Sequence, residues 1–359
     1  MSTLFADVVD LDKLAQWMDA QGLGQGPLLN PALITGGTQN ILMRFTRSGR
    51  SYVFRRPPPH KRANSDETMR REARVLAALA GSEVPHPALI AACADEVLLG
   101  AAFYLMEPID GFNATLGLPA LHAGDMAIQH RMGLAMADAI AALARVDHVA
   151  RGLGDLGKFD GWAERQVGRW RKQLDSYSEL AGYPGPQIPG VDAVGDWLNA
   201  HRPRDVRAGL IHGDFHFGNV LIRPDCGELA AVVDWELVTL GDPLLDLGHL
   251  LCTWPKKRAA AEAGTAGTPG DAGAPAAEVV GVDAPGLPSA EEVIAQYAKG
   301  SSRDLSAVGW YRVLACYRLG LILEGTHARA CAGLAPKETG DRLHASTVGL
   351  FEQALELIG

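Results

Sequence analysis

Leu210–Gly248 reads LIHGDFHFGNVLIRPDCGELAAVVDWELVTLGDPLLDLG. In HGDFHFGN, Asp214 and Asn219 lie five positions apart, with glycines at 213 and 218. That spacing and glycine content suit a loop rather than one face of a helix. VLI then reads as a short strand, PDCGE as a turn and LAAVVDW as a returning strand, so a hairpin is expected to carry Asp234 back towards Asn219. Asn219 and Asp234 are hard oxygen donors. They suit Mg²⁺, which takes few protein ligands and completes its shell with phosphate and water. Asp214 is then placed to accept the proton of an attacking hydroxyl. An ordinary carboxylate is a weak base (pKa about 3.9), but phosphoryl transfer needs little early deprotonation. Taken singly, each of these residues reads equally well as a turn or cap; the combination is what points to chemistry.

The rest of the chain supplies a frame. Its 359 residues suffice for one large domain or two modest ones. With 47% hydrophobic and 21% charged residues it has a globular composition. A net charge of −9 argues against a general nucleic-acid surface, though local arginine clusters can still hold an anion. The five cysteines form no CxxC pair, which argues against a zinc knot or redox motif and fits a reducing cytoplasm. The N-terminus does not read as a signal peptide, and no apolar run is long enough to span a membrane.

A helical pattern, LDKLAQWMDAQGL, is followed by a glycine-rich turn. ILMRFTR and RSYVFRR then alternate as two strands about Ser48-Gly49, and Pro57–Pro59 ends the second. SDETMRREARVLAAL reads as a helix, with Asn64 or Ser65 as cap and Glu67 in a capping-box relation to Asn64. VPHPALIAAC and GAAFYLMEPIDG read as strands and turns. Residues 1–108 are therefore expected to form a small sheet with one helix. Residues 109–359 read as mainly helical: DMAIQHRMGLAMADAIAALARV, GWAERQVGRWRKQLDSY, DAVGDWLNAH, and again from Ala290. Residues 259–288, rich in Ala, Gly and Pro, read as a surface insertion able to bury little, or as a lid.

HGDFHFGN, VVDWE and GDPLLDLGHLL resemble the catalytic loop, the metal-binding segment and the following stretch of the aminoglycoside phosphotransferases. That family is similar to choline kinase and, more distantly, to protein kinases. The resemblance implies an α+β, bilobal, protein-kinase-like fold with a small β-rich N-lobe and a larger helical C-lobe. It implies an ATP- and Mg²⁺-dependent phosphotransferase in which Asp214 is the catalytic base and Asn219 and Asp234 hold magnesium. Asp242 and Asp246 would be structural, and His212 a scaffold histidine.

In the same pattern a strand lysine meets the nucleotide phosphates. Here the strand carries arginine, and Arg55, on the same face as Val53, is the residue assigned. Arginine is always charged and grips phosphate bidentately. The exchange resembles the branch of the family associated with acyl-CoA dehydrogenases. Glu72, near the apolar face of its helix, is the expected partner of Arg55; the other reading is a surface glutamate paired with a neighbouring arginine. Gly37 and Thr38 precede the first strand and could cap phosphates through backbone N–H groups, or simply make a turn. FYLMEPIDG resembles an interlobe hinge, where the Glu107 carbonyl and Ile109 amide would meet adenine beside Met106.

His60, His216 and His249 form no metal spacing, and His249 reads as an interior histidine. Arg165, Arg169 and Lys172 read as a solvated helix face, or as a site for a phosphate-bearing substrate. The tryptophans at 162, 170, 254 and 310 read as core by default, or as lining for a substrate cleft. The acceptor remains open between an aminoglycoside and a hydroxyacyl-CoA-type substrate, and oligomeric state is not legible. A nucleotide-binding module without catalysis is the competing class, which the intact Asp214, Asn219 and Asp234 disfavour. Protein kinase activity is disfavoured by the short run from Trp235 to Asp242.

Overall fold

Alternating apolar residues on either side of Ser48-Gly49 make the hairpin on which the first unit is built. A computed structural model describes residues 9–34, 40–61, 63–255 and 281–359. It divides into two compact units. The first comprises Met1–Gly111, Asp147–Leu156 and Ala230–Val238; the second comprises Phe112–Val146, Gly157–Leu229 and Thr239–Gly359.

In the first unit, helix α1 (Leu11–Ala20) is capped by Asp10, whose carboxylate accepts the Lys13 N–H at 3.0 Å. Strand β1 (Leu29–Leu33) pairs with β2 (Ile41–Arg47), which pairs with β3 (Arg50–Arg56). Ser48 and Gly49 both take positive φ, 47° and 76°, as a two-residue hairpin turn requires. Helix α2 (Ser65–Leu79), strand β4 (Leu89–Cys93), the single turn α3 (Glu96–Leu99) and strand β5 (Phe103–Met106) follow. The sheet order is β1-β2-β3-β5-β4, antiparallel throughout. Met43, Phe45, Tyr52, Phe54, Phe103 and Leu105 pack with Leu14 and Met18 of α1 into one core. Each such side chain contributes about 1.5–3 kcal/mol when fully buried. The expected capping box on α2 is absent: Asn64 is the N-cap residue, but its side chain makes no cap bond. Strand β1, not expected from the sequence, is a third member of the hairpin sheet.

In the second unit, α4 (Ala120–Gly124) leads into α5 (Met126–Ala144), capped by Asp125. Helices α6 (Trp162–Asp175) and α7 (Val191–Ala200) follow. Strand β6 (Gly209–Ile211) leads into the loop bearing Asp214. Next comes β7 (Val220–Ile222), and after it β8 (Leu229–Val232), whose last three residues belong to the first unit. The turn between them is closed by the Arg223 N–H, which donates to the Glu228 carbonyl at 2.9 Å. Strand β9 (Thr239–Gly241) pairs antiparallel with β6, and α8 (Leu244–Cys252) follows at once. Three more helices complete the chain: α9 (Ala290–Lys299), α10 (Val308–Cys331) and α11 (Lys337–Ile358). A capping box between Ser289 and Glu292 starts α9. Helix α8 lies hard against α10: a Cβ at Gly248 would collide with the Tyr311 carbonyl. That contact fixes the depth at which α8 presents its side chains.

The segment expected to bury little departs from that reading where it is described. Val282, Ala284 and Leu287 are buried, and the Gly286 N–H donates to Gln129 Oε1 at 2.7 Å. Local apolar residues and a backbone anchor outweigh the low-complexity composition. The rest of the proposed insertion or lid lies largely outside the described residues.

Candidate active site

Asp214 sits where three elements converge. β6 delivers the chain to His212, which is fully buried, and Gly213 turns it with φ +85°. Asp246, in the first turn of α8, holds the turn from beneath. Its carboxylate accepts the His212 N–H at 2.7 Å and the Gly213 N–H at 2.9 Å. Burial pushes the Asp246 carboxyl up, while His212 and those two amides oppose it. His212 Nδ1 then accepts the Asp214 N–H at 3.3 Å. Asp242, nearly inaccessible, accepts from the Arg207 N–H (2.9 Å), the Leu244 N–H (3.0 Å) and Arg303 (3.4 Å). Asp242 and Asp246 thus tie strand, loop and helix together.

The Asp214 side chain has a built surround. Asn219 Nδ2 donates both to its carbonyl (2.9 Å) and to its Oδ2 (3.0 Å). His216 Nε2 lies 3.5 Å from Oδ2, and His249 Nε2 lies 3.2 Å from Oδ1. His216 is itself fixed, because its Nδ1 accepts the Gly218 N–H at 3.0 Å. Burial alone pushes the Asp214 carboxyl up, but the His216 and His249 rings outweigh it and hold the group well below the ordinary carboxylate range. Asp214 is therefore an anion at neutral pH and accepts hydrogen bonds only. Its side chain is still 32% exposed, so an alcohol can reach it.

His216 and His249 are the residues that sequence reasoning missed. His249 had read as a satisfied interior histidine. It is buried, as expected, but neither ring nitrogen makes an aligned hydrogen bond, and one approaches Asp214. Burial pushes the His249 ring down, towards its neutral form, against the pull of Asp214. The one signal available was its place in α8, three residues beyond Asp246 and so on the same helical face.

The first unit carries a second cluster. Arg55 on β3 and Tyr104 on β5 stand directly opposite in register and reach the same carboxylate. Arg55 Nε lies 2.9 Å from Glu72 Oε2, and the Tyr104 hydroxyl donates to that oxygen at 2.8 Å. Arg55 Nη2 also donates to Asp234 Oδ1 at 2.7 Å. Glu72 is fully buried and Arg55 6% exposed. Burial disfavours both charges; it pushes the Glu72 carboxyl up, whereas for Arg55 the attraction of Glu72 and Asp234 prevails and raises its pKa. Asp234 has positive φ (64°), uncommon for a residue with a Cβ. The expected Arg55–Glu72 pair is thus present, with Tyr104 as an unforeseen third member.

Met106 is buried and paired in the sheet. Glu107 donates its N–H to the Ala88 carbonyl and its carboxylate meets Arg50 at 2.9 Å. Among the described residues, no hydrogen bond uses the Glu107 carbonyl or the Ile109 N–H. Gly37 and Thr38 lie outside the described residues. Arg165, Arg169 and Lys172 are exposed, and the tryptophans at 162, 170 and 310 are buried.

The donors fit magnesium by type. Asp234 keeps Oδ2 beside the oxygen given to Arg55, and its side chain is 39% exposed. Asn219 commits its amide nitrogen to Asp214, which leaves its carbonyl oxygen to offer. Both are hard oxygens.

Comparison with known proteins gives a consistent result. The APH model, of the phosphotransferase enzyme family, matches residues 32–277. Acyl-CoA dehydrogenase family member 10 of Mus musculus is 28% identical over 325 residues, which is 89% of this chain and 28% of that protein. Family member 11 of Gallus gallus is 29% identical over 90% of this chain and 40% of its own length. The chain thus spans less than half of these curated relatives. A solved structure from Ralstonia eutropha, assigned as an aminoglycoside phosphotransferase, is 28% identical with a TM-score of 0.76, covering 97% of this chain and 99% of that one. A ternary complex of another aminoglycoside phosphotransferase with ADP and hygromycin B has a TM-score of 0.57 at 14% identity, covering 96% and 98%. The fold is therefore bilobal and protein-kinase-like, with a small β-rich N-terminal lobe and a larger helical C-terminal lobe. No helix among the described residues is long and apolar enough to cross a membrane.

Proposed function

The chain belongs to the phosphotransferase enzyme family, and from that premise we propose that it moves the γ-phosphate of ATP to a hydroxyl of a small molecule. The observation that carries this reading is the Asp214 carboxylate, oriented by Asn219 and flanked by the His216 and His249 rings. Asp214 receives the acceptor hydroxyl, aligns its oxygen and takes its proton late in the transfer. His216 and His249 hold the carboxylate in place. When bound, ATP supplies the phosphoryl group and Mg²⁺ the counter-charge for it. Asn219 and Asp234 are the residues that would hold the metal. Arg55, steadied by Glu72, would grip the phosphates, with Gly37 and Thr38 contributing backbone N–H groups. Met106, the Glu107 carbonyl and the Ile109 amide would receive the adenine. In this reading residues 1–108 hold nucleotide, and residues 109–359 carry the catalytic loop and the acceptor.

The donor assignment is supported by the neighbour crystallised with ADP and hygromycin B. For the acceptor, the names of the curated relatives favour a hydroxyacyl-CoA type over an aminoglycoside. The test is a transfer screen over aminoglycosides, hydroxyacyl-CoAs, amino alcohols and sugars, read by mass. One acceptor should gain a single phosphoryl group with matched ADP release. Saturable ATP binding with no product across the panel would favour a silent nucleotide-binding module instead.

A further inference from the structure

Outside the site described above, the crossing of α10 and α11 gathers two imidazoles and a carboxylate within the second unit. Glu324 and His327 lie three positions apart on α10, so one helix face carries both. His344 meets them from α11, with its Nδ1 2.7 Å from Glu324 Oε2. Each of the three residues offers one donor atom, and these atoms lie within 4.8 Å of one another. The helices approach closely here because Gly340 has no side chain: a Cβ there would collide with that of Ala330.

Each donor has a defined setting. The Glu324 side chain is fully buried. Its Oε1 accepts the Tyr183 hydroxyl at 2.7 Å, and its Oε2 shares a proton with His344 Nδ1 across the 2.7 Å contact. Both partners are neutral unless His344 takes a second proton, so this buried carboxylate lacks a permanent counter-charge. The His327 ring stacks on that of His344, with centroids 4.5 Å apart and planes 27° from parallel. Charging both rings at that separation is unfavourable, which makes protonation a poor source of the positive charge. His327 Nδ1 is sealed from solvent with no hydrogen-bond partner; Asp341 Oδ1, at 3.9 Å, is too distant to serve as one. The Cys331 thiol lies 3.7 Å from the other ring nitrogen. The rings remain within reach of solvent, since the His327 and His344 side chains are 14% and 23% exposed.

We propose that Glu324, His327 and His344 bind a divalent ion of the zinc type, which clamps α10 to α11. One ion supplies both the counter-charge that Glu324 lacks and a partner for the imidazole nitrogens. Zinc takes such donors at about 2.0–2.2 Å, which sets tetrahedral ligand atoms about 3.3–3.6 Å apart. Small side-chain rotations bring the three donors to that spacing. The ion replaces the proton between Glu324 Oε2 and His344 Nδ1, and that proton leaves to solvent. The Tyr183 hydroxyl keeps the carboxylate oriented from behind. Two imidazoles and a carboxylate favour zinc, cobalt or nickel over magnesium or calcium, which prefer all-oxygen sets. Three protein donors leave a fourth position for water. This inference is independent of the phosphotransferase reading.

The experiment strips the full chain with a chelator and titrates Zn²⁺ and Co²⁺ in turn, read by calorimetry and visible absorbance. Asp214 and Asp234 belong to other clusters able to take metal, so each variant is compared with wild type for the loss of one equivalent. His327→Gln and His344→Gln, at partly exposed positions, should each weaken one tight equivalent by at least about a hundredfold, and Tyr183→Phe should weaken the same equivalent about tenfold. Wild type should release about one proton for the ion bound there and gain thermal stability from zinc. The two glutamine variants should lose both responses while their metal-free unfolding midpoints stay close to that of wild type. Cys331→Ser should keep the equivalent; its loss in that variant would assign the metal to the exposed thiol and overturn the proposal. Metal binding in His327→Gln and His344→Gln equal to that of wild type would overturn it as well. A readout on wild type alone stands even if a variant fails to fold. Bound Co²⁺ should show the strong visible bands of four-coordinate ligation, and the weak spectrum of the hydrated ion alone would contradict the site.

Discussion

Two charged clusters, one in each unit, solve opposite problems. Around Glu72, ions of both signs are closed in on one another: Arg55, Tyr104 and Glu72 are all nearly inaccessible, and only Asp234 reaches outward. Around Asp214, one carboxylate is held by an amide and two imidazole rings and remains open to solvent. The first arrangement fixes position. The second leaves capacity for an incoming group. A buried ion pair adds little stability over an apolar substitute, but losing one member is severe. The two clusters should therefore fail differently when cut.

The largest contrast is expected at Glu72. Glu72→Ala leaves Arg55 buried with much of its counter-charge gone, and should cost about 3–5 kcal/mol in urea unfolding. The Asp214→Ala protein should lose far less stability, because its side chain is partly solvated; equal losses would erase the distinction between the clusters. Next comes His249→Ala, which removes a ring 3.2 Å from Asp214. Turnover should fall about tenfold, and the Asp214 carboxyl should titrate at higher pH than in wild type, as read by carboxylate NMR. An unchanged titration would mean that His249 does not hold the anion. Gly248→Ala tests the packing beneath the site. Its Cβ meets the Tyr311 carbonyl, and overpacking of this kind costs about 1–3 kcal/mol, read as a fall in the unfolding midpoint. The smallest effect is expected from Tyr104→Phe, which deletes one hydrogen bond to Glu72 at about 1 kcal/mol and should leave the Arg55 pair in place.

Legibility in the sequence followed the locality of the interactions. β2 and β3 alternate with period two about a two-residue turn, and Arg55 and Glu72 each sit on a regular element whose face can be counted. Strand β1 was hidden because LNPAL contains Pro31 and is mostly exposed, as an edge strand can be. Tyr104 was missed because its role depends on register across two strands. The loop bearing Asp214 was readable as a motif, with Asp214 and Asn219 five positions apart and in contact. His249 joins them from 35 residues away through the folding of α8; nothing in local spacing announces that. Residues 281–288 misled through composition, because a few apolar side chains and one amide anchor decide their burial.

The central claim, that Asp214 is the group which receives the acceptor hydroxyl, is tested most directly by Asp214→Asn. This change keeps shape and removes the anion. Turnover at saturating nucleotide and acceptor should fall by about three to four orders of magnitude, while nucleotide affinity in the same samples stays within about twofold of wild type. Turnover within tenfold of wild type would contradict the account.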